Sequence, residues 1–146
     1  MDRFDERILQ ELQADGRLSN VELSERIGLS PSATLRRVQE LERQGVISGY
    51  RAILNSDKLG IGFIAYVTIG LSDHSQKSQR GFEQEVMMAQ EVTECHNITG
   101  ANEYLLRVET KDLTRYKRFH SEVLGEIPQV NTITTLVVMD TPKDTR

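Results

Sequence analysis

The sequence predicts an α+β protein built from two parts: three short helices, then a unit in which strands and helices follow in the order βαββαβ. Three glycines, Gly16, Gly28 and Gly45, divide the first part into segments of helical length. After Gly60, long apolar runs typical of strands alternate with two segments whose apolar residues recur at helical spacing. We therefore predict a helical domain with a linking strand over residues 1–54, an α/β domain over 60–140 and a flexible tail over 141–146.

The first helix follows an acidic N-terminus. Asp2 or Asp5 can cap it, and it ends near Ala14 because Asp15 and Gly16 disfavour its continuation. Its apolar residues recur at helical spacing, which predicts a buried stripe. The stripe consists of Phe4, Ile8, Leu9 and Leu12.

The next two helices form a helix-turn-helix pattern. Ser19 and Glu22 have the spacing of a capping box, and Gly28 can adopt the left-handed conformation that ends a helix. Ser30 then caps another helix, whose first residue is Pro31. This arrangement predicts a winged-helix-like helix-turn-helix whose second helix enters a DNA major groove. Helix pairs of this size also recur in bundles that bind no DNA.

The candidate DNA contacts lie on the polar face of the helix that begins at Pro31. We expect Leu35, Val38 and Leu41 to face the core, since they share one side at three-residue spacing. Residues 29–39 contain two arginines and no acidic residue, although acids are plentiful on both sides. The alternative is a solvated face whose arginines pair with Glu40. The predicted DNA-binding residues are Ser30, Ser32, Thr34, Arg36, Arg37 and Gln39.

The second part predicts a ferredoxin-like α/β sandwich, an antiparallel four-stranded sheet with both helices on one face. Asp112 is expected to cap a helix that points Leu113, Tyr116, Phe119 and Val123 inward. The predicted strands are 46–54, which links the two parts, and 61–71, 92–99, 104–110 and 130–139, with a polar loop at 72–79 and a helix at 81–90.

The sheet has apolar residues on both faces. In the first of its strands Ala65 and Val67 point one way, whereas Ile64 and Tyr66 point the other. Two helices cover only one face, so we expect the second to be buried by another copy of the chain. The sequence therefore predicts a homodimer or a larger assembly.

Composition and motifs exclude several classes of function. The net charge of −4 argues against a general polyanion binder, so any DNA contact must be focal. The sequence has no membrane-length apolar run, no signal-peptide pattern and one cysteine, Cys95, which fits a cytoplasmic protein. Cys95 and His96 are neighbours on a strand and point to opposite faces, which rules out a nucleophile–base pair. We predict no enzymatic activity, cofactor or metal site.

Several blocks of the sequence resemble the leucine-responsive regulatory protein/asparagine regulator (Lrp/AsnC) family of feast/famine regulators. The start MDRFDERIL is similar to the family's L-D-x-x-D-x-x-I-L pattern, with Met1 in place of Leu. The same order and spacing continue through DGRLS at 15–19, LSERIGLS at 23–30, RRVQELE at 36–42, GVISGY at 45–50 and EVTECHNITGANEYLLRVET at 91–110.

The resemblance implies a bacterial or archaeal, nucleoid-associated transcription regulator with a C-terminal amino-acid-sensing (RAM) domain. It implies double-stranded DNA as a partner, dimers that assemble into octamers, and an amino-acid effector, leucine-like among the possibilities, bound between subunits. The implied effector-binding residues are Gly100, Ala101, Asn102, Glu103 and Tyr104 of one subunit, with Asn131, Thr134 and Thr135 of its neighbour. The family commonly has Asp where this chain has Glu103.

Other interpretations of the same residues stay open at this stage. The turn 100–103 is also what an ordinary hairpin connection looks like. The chain could be an architectural protein that wraps DNA without an effector, or a small-molecule-binding module on a ferredoxin-like sheet. Our main hypothesis is that the sheet domain sets the spacing of several reading helices, and that a bound amino acid changes that spacing or the assembly state.

Overall fold

The computed structural model describes all residues from Met1 to Arg146. The chain divides into two compact units, Met1–Ile53 with Thr145–Arg146, and Leu54–Asp144. The first unit contains α1 (Arg3–Ala14), α2 (Asn20–Ile27) and α3 (Pro31–Arg43). The second contains β1 (Phe63–Leu71), α4 (Gln76–Met87), β2 (Val92–Asn97), β3 (Tyr104–Thr110), α5 (Leu113–Glu122) and β4 (Val130–Val137). None of these helices has the length and apolarity needed to cross a membrane.

The helix boundaries of the first unit follow the predicted caps. Asp2 caps α1 in a capping box with Asp5, Ser19 caps α2 in one with Glu22, and Ser30 caps α3. The three helices share a small core of apolar side chains. Its fully buried members are Ile8, Leu23, Ile27 and Leu41.

One of the three core positions predicted for α3 is wrong, whereas Val38 and Leu41 lie in the core as predicted. Leu35 is 45% exposed, whereas Thr34 is fully buried. The core-facing positions are therefore 34, 37, 38 and 41, which is the i, i+3, i+4, i+7 pattern of one helical face. A pure three-residue spacing drifts around a helix of 3.6 residues per turn, which is why Leu35 was misplaced.

The predicted linking strand 46–54 is absent. This segment pairs with no strand of the chain, and Ile53 and Leu54 are largely exposed. β-branched residues favour extended backbone, but a strand also requires a partner ladder, which this chain does not provide.

The second unit is the predicted ferredoxin-like sandwich. Its antiparallel sheet has the order β2-β3-β1-β4. The buried side chains of β1 alternate along the strand and pack against Phe82 of α4 and Tyr116 of α5. Several details differ from the prediction. α4 spans Gln76–Met87 rather than 81–90, because Ser75 caps it. The strands predicted over 61–71, 92–99 and 130–139 are each two residues shorter, and Leu113 is 64% exposed.

The open face of the sheet, the side not covered by α4 and α5, is less apolar than predicted. Arg107 donates to the Tyr66 hydroxyl at 2.9 Å, and its Nε lies 3.6 Å from the Glu109 carboxylate and 3.8 Å from Glu94. Leu136 is 53% exposed opposite Tyr66. The face therefore combines apolar side chains with a partly buried charge network, which the alternation of apolar residues in β1 and β4 did not reveal.

Candidate functional site

The exposed face of α3 presents uncharged polar groups and one free cation. The Ser30 hydroxyl accepts a hydrogen bond from the Ala33 amide at 3.2 Å, which fixes the start of the helix. Ser32, Arg36 and Gln39 are exposed, and the Arg36 side chain makes no ion pair or hydrogen bond within the chain. Arg36 is therefore free to contact a phosphate or a base edge without breaking an intramolecular bond.

Arg37 has an intramolecular role, contrary to the predicted DNA contact. One of its terminal nitrogens lies 2.7 and 2.8 Å from the two Asp2 carboxylate oxygens and 3.2 Å from Asp5. Its guanidinium also lies 5.3 Å from the centre of the Phe4 ring. The Asp5 amide and then Arg37 lower the pKa of Asp2, and the Asp2 carboxylate raises the pKa of Arg37. These contacts hold α3 against the start of α1.

The prediction for Thr34 is wrong, and the alternative in which the arginines pair with Glu40 is excluded. Thr34 is fully buried and its hydroxyl has no hydrogen-bond partner, so its side chain cannot contact DNA. Glu40 does not pair with Arg36 or Arg37. Its carboxylate instead binds Arg43 at 2.6 and 2.8 Å, and Arg43, followed by Gln44, lowers the pKa of Glu40 to about 2.

In the second unit, the predicted effector turn is a short, well-anchored loop between β2 and β3. Gly100 has φ +115°, a conformation that L-residues rarely adopt. The Glu103 amide donates to the Ile69 carbonyl at 3.0 Å, and the Glu103 carbonyl accepts from the Ile98 amide at 2.8 Å and the Asn97 side chain at 3.0 Å. Ala101 is exposed at the loop tip.

The Glu103 carboxylate is bound within its own chain. One oxygen accepts a hydrogen bond from the Leu71 amide at 2.8 Å, and the other contacts Nδ1 of His74. The Glu103 side chain is 14% exposed, whereas the His74 side chain is 80% exposed. The Leu71 amide is the main cause of the lowered pKa of Glu103. The carboxylate is thus ionised at neutral pH, and its contact with the exposed His74 side chain is easily exchanged for a contact with a cation.

Two residues beside this loop, Thr68 and Thr132, were missed by sequence reasoning. The Asn102 amide lies 3.5 Å from the Thr68 hydroxyl, and its oxygen lies 3.4 Å from the Thr132 hydroxyl. A side chain at Gly70 would collide with Thr132, since an added Cβ would lie 2.3 Å from its hydroxyl. Gly70 interrupts an otherwise apolar strand, and this interruption could have indicated from the sequence that polar residues lie beside it. We call Thr68, Asn102 and Thr132 the threonine–asparagine cluster.

Not every predicted effector residue belongs to this group. Thr134 is exposed and pairs with Thr68 across β1 and β4, and Asn131 is exposed nearby in β4. Tyr104, by contrast, is 1% exposed and donates its hydroxyl to Glu83, and burial raises its pKa. Thr135 faces the helix-covered side and bonds the Tyr116 hydroxyl. Side-chain contacts from Tyr104 and Thr135 to an effector are therefore excluded in this conformation, because the strand alternation points them into the sandwich.

The combination of a helix-turn-helix unit with a ferredoxin-like ligand-binding unit defines a class of DNA-binding transcription regulators that respond to small molecules. Residues 1–48 match the family model described as winged helix-turn-helix DNA-binding, and residues 64–146 match that of the Lrp/AsnC ligand binding domain. The chain belongs to the Lrp/AsnC family. It is a transcription regulator rather than an enzyme, as the sequence predicted.

The similarity to relatives in this family extends over nearly the whole chain. The leucine-responsive regulatory protein of Klebsiella pneumoniae is 43% identical over 98% of this chain and 87% of its own length. The proline dehydrogenase transcriptional activator of Rhizobium radiobacter is 42% identical over 99% and 93%. A Neisseria meningitidis regulator solved as a complex with L-methionine superimposes with a TM-score of 0.95 at 33% identity, covering 99% of this chain and 93% of that one.

Proposed function

We propose that this regulator contacts operator DNA through Ser30, Ser32, Arg36 and Gln39 on the exposed face of α3. The observation that carries this proposal is the contrast between the two adjacent arginines. Arg37 is bound by Asp2 and Asp5, whereas Arg36 is exposed and unpaired on a helix segment without acids. A single reading helix with one free arginine releases few counterions, so an isolated copy is expected to bind DNA weakly.

Several copies together would overcome this weakness. The open face of the sheet, with Ile64, Tyr66, Leu105 and Leu136 around the Arg107 network, suits a second copy of the chain, and dimers could build an octamer. Linking reading helices makes later DNA contacts intramolecular and raises the overall affinity by about 10²–10⁴. We place this assembly on chromosomal DNA in the cytoplasm.

We further propose that a neutral amino acid, leucine or methionine among the candidates, binds at the threonine–asparagine cluster. Hydroxyl and amide groups can serve both charged ends of a zwitterion, and the hydrogen bonds among them are long, at 3.4–3.5 Å. The ligand's ammonium group would take the place of exposed His74 at the Glu103 carboxylate. Asn131 and Thr134 of a neighbouring subunit would complete the site. The methionine complex of the Neisseria meningitidis relative supports an amino acid of this class.

The DNA contact is tested with fragments that the wild-type protein selects from a random library. Arg36→Ala should weaken binding to a selected fragment by about tenfold and lower the salt dependence of affinity by about one counterion per reading helix. Arg43→Ala is the matched control, because Arg43 lies on the same helix but is bound to Glu40. If both variants lose affinity equally, the contact does not depend on Arg36. If the wild type binds selected and unselected DNA fragments with equal affinity, the protein is an architectural wrapping protein.

The effector site is tested by calorimetric titration with L-leucine and L-methionine. Asn102→Ala should weaken binding by about tenfold, because it removes both polar atoms at the centre of the cluster. Asn55→Ala is the control, since it removes an amide of the polar linker that bonds only the Lys58 amide. Equal binding by both variants, or no binding of either amino acid to the wild type, contradicts the assignment.

A further inference from the structure

A cleft on the second unit lies far along the sheet from the threonine–asparagine cluster. It has a volume of about 440 Å³ and is formed by the C-terminal end of β3 and one face of α5. Phe119 of α5 and Val123, which follows that helix, provide apolar lining, and Thr110 lines the cleft at the end of β3. The site described above does not use this cleft.

The cleft gathers three positively charged side chains without partners. Lys111 follows β3, and Arg115 and Arg118 lie one turn apart on α5. None of the three side chains makes an ion pair or a hydrogen bond within the chain. Arg107, which lies within β3, differs from these three cations because its side chain contacts Tyr66, Glu94 and Glu109.

Two carboxylates line the same cleft but do not neutralise these cations. Glu122 follows Arg118 by four residues on α5, a spacing at which side chains can meet, yet no ion pair forms. In that order, with the arginine nearer the helix N-terminus, the pair is the less favourable of the two orientations. Glu91 lies at the start of β2, where its carbonyl accepts a hydrogen bond from the Glu109 amide at 2.9 Å.

The backbone that carries the cations is fixed. The Lys111 carbonyl accepts from the Gly62 amide at 3.0 Å, and the Thr110 hydroxyl donates to the Asp112 carbonyl at 2.9 Å. Asp112 in turn caps α5 by accepting from the Arg115 amide at 2.8 Å. The backbone positions from which the three cations extend are thus set before any ligand arrives, which lowers the entropic cost of binding.

We propose that this cleft binds a small, multiply charged oxyanion, a phosphate ester or a polycarboxylate, as a second ligand of the regulator. Two guanidinium groups and one ammonium match the oxygens of such an ion in number and charge. Glu91 and Glu122 disfavour an extended polyanion such as the DNA backbone, because a long chain of phosphates could not avoid both carboxylates. The concave shape likewise suits a compact ligand. This ligand is additional to the amino-acid effector.

Calorimetric titration of the full-length protein with pyrophosphate and, separately, with citrate tests the proposal at constant ionic strength set by sodium chloride. At least one of the two should show saturable binding, and which one binds identifies the phosphate or carboxylate source. Arg115→Ala combined with Arg118→Ala should weaken that binding by about tenfold or more. Lys117→Ala, an exposed cation of the same helix outside the cleft, should change it by less than about twofold.

Glu91→Gln provides a test in the opposite direction that keeps the cleft intact. Removing a repulsive carboxylate should strengthen anion binding about threefold, so a failure of the double variant to fold leaves the proposal testable. The proposal is overturned if neither anion binds saturably, or if Lys117→Ala and the double variant weaken binding equally. It is also overturned if the double variant reduces DNA affinity while neither anion binds, since the cleft would then be a DNA-backbone contact.

Discussion

Replacing Glu103 with Gln removes the negative charge that anchors the predicted effector loop but keeps the side-chain shape. In the wild type this carboxylate accepts a hydrogen bond from the Leu71 amide at 2.8 Å and contacts His74. The glutamine carbonyl can still accept from the Leu71 amide, so the variant converts a charged hydrogen bond into a neutral one.

The expected loss of stability is the difference between a charged and a neutral hydrogen bond to the Leu71 amide. Hydrogen bonds to charged groups contribute about 1.5–3 kcal/mol and neutral ones about 0.5–1.5 kcal/mol, which gives a loss of about 1 kcal/mol. The His74 contact adds little, because the imidazole is 80% exposed. For a unit of this size, about 1 kcal/mol lowers the midpoint of thermal unfolding by roughly 4–8 °C.

The assay is thermal unfolding at one protein concentration, followed by near-ultraviolet circular dichroism of tyrosine. Three of the four tyrosines, Tyr66, Tyr104 and Tyr116, lie in the second unit and report on it. The pKa of Glu103 is lowered from its ordinary value of 4.5, so the wild-type advantage is fully present above pH 4.5. The difference between wild type and Glu103→Gln should shrink as the pH falls through the lowered pKa.

Two results would refute this reasoning. Equal midpoints for wild type and Glu103→Gln at pH 7 would show that the charged bond to Leu71 contributes nothing. A difference that stays constant as the pH is lowered step by step below 4.5 would show that the variant acts through packing rather than charge. His74→Ala is the control, and we expect it to leave the midpoint nearly unchanged.

Three further variants test other parts of the structure. Thr34→Val should stabilise the first unit by about 1 kcal/mol in urea unfolding and leave DNA affinity unchanged, because it removes a buried hydroxyl without a partner. Gly70→Ala should weaken amino-acid binding in calorimetry, because its Cβ would lie 2.3 Å from the Thr132 hydroxyl. Asp2→Asn should speed amide exchange in the first turn of α1 at pH 7, because it weakens the contact with Arg37, and the effect should disappear below the lowered pKa of Asp2.

Local signals in the sequence predicted much of the fold. Caps at Asp2, Ser19, Ser30 and Asp112 are confirmed, because capping depends only on residues three or four positions apart. The strand 104–110 has its predicted limits for a similar reason, since its alternation is regular. Features that depend on a partner elsewhere in the chain could not be predicted from local signals. The linking strand 46–54 has the residues of a strand but no ladder to join.

The sequence predicted which elements carry the candidate residues, but it did not predict what their side chains contact. The loop 100–103 and the polar face of α3 lie in the expected elements, but the roles of individual side chains depend on contacts between segments distant in sequence. Arg37 differs from Arg36 only through carboxylates more than thirty residues away. Glu103 is bound by the amide of Leu71 and by His74, which no local pattern indicates. Thr34, Tyr104 and Thr135 were predicted as ligand contacts, but the helix phase and the strand alternation point their side chains into the core.

The most direct test of the account is the affinity for a selected DNA fragment, measured with each common amino acid added in turn. The account predicts that at least one neutral amino acid changes this affinity by about fivefold or more, and that DNA changes the affinity for that amino acid by the same factor. Asn102→Ala should shift the response to an amino-acid concentration about tenfold higher, without weakening DNA binding when no amino acid is added. If no amino acid alters DNA affinity, the second unit does not act as an amino-acid sensor.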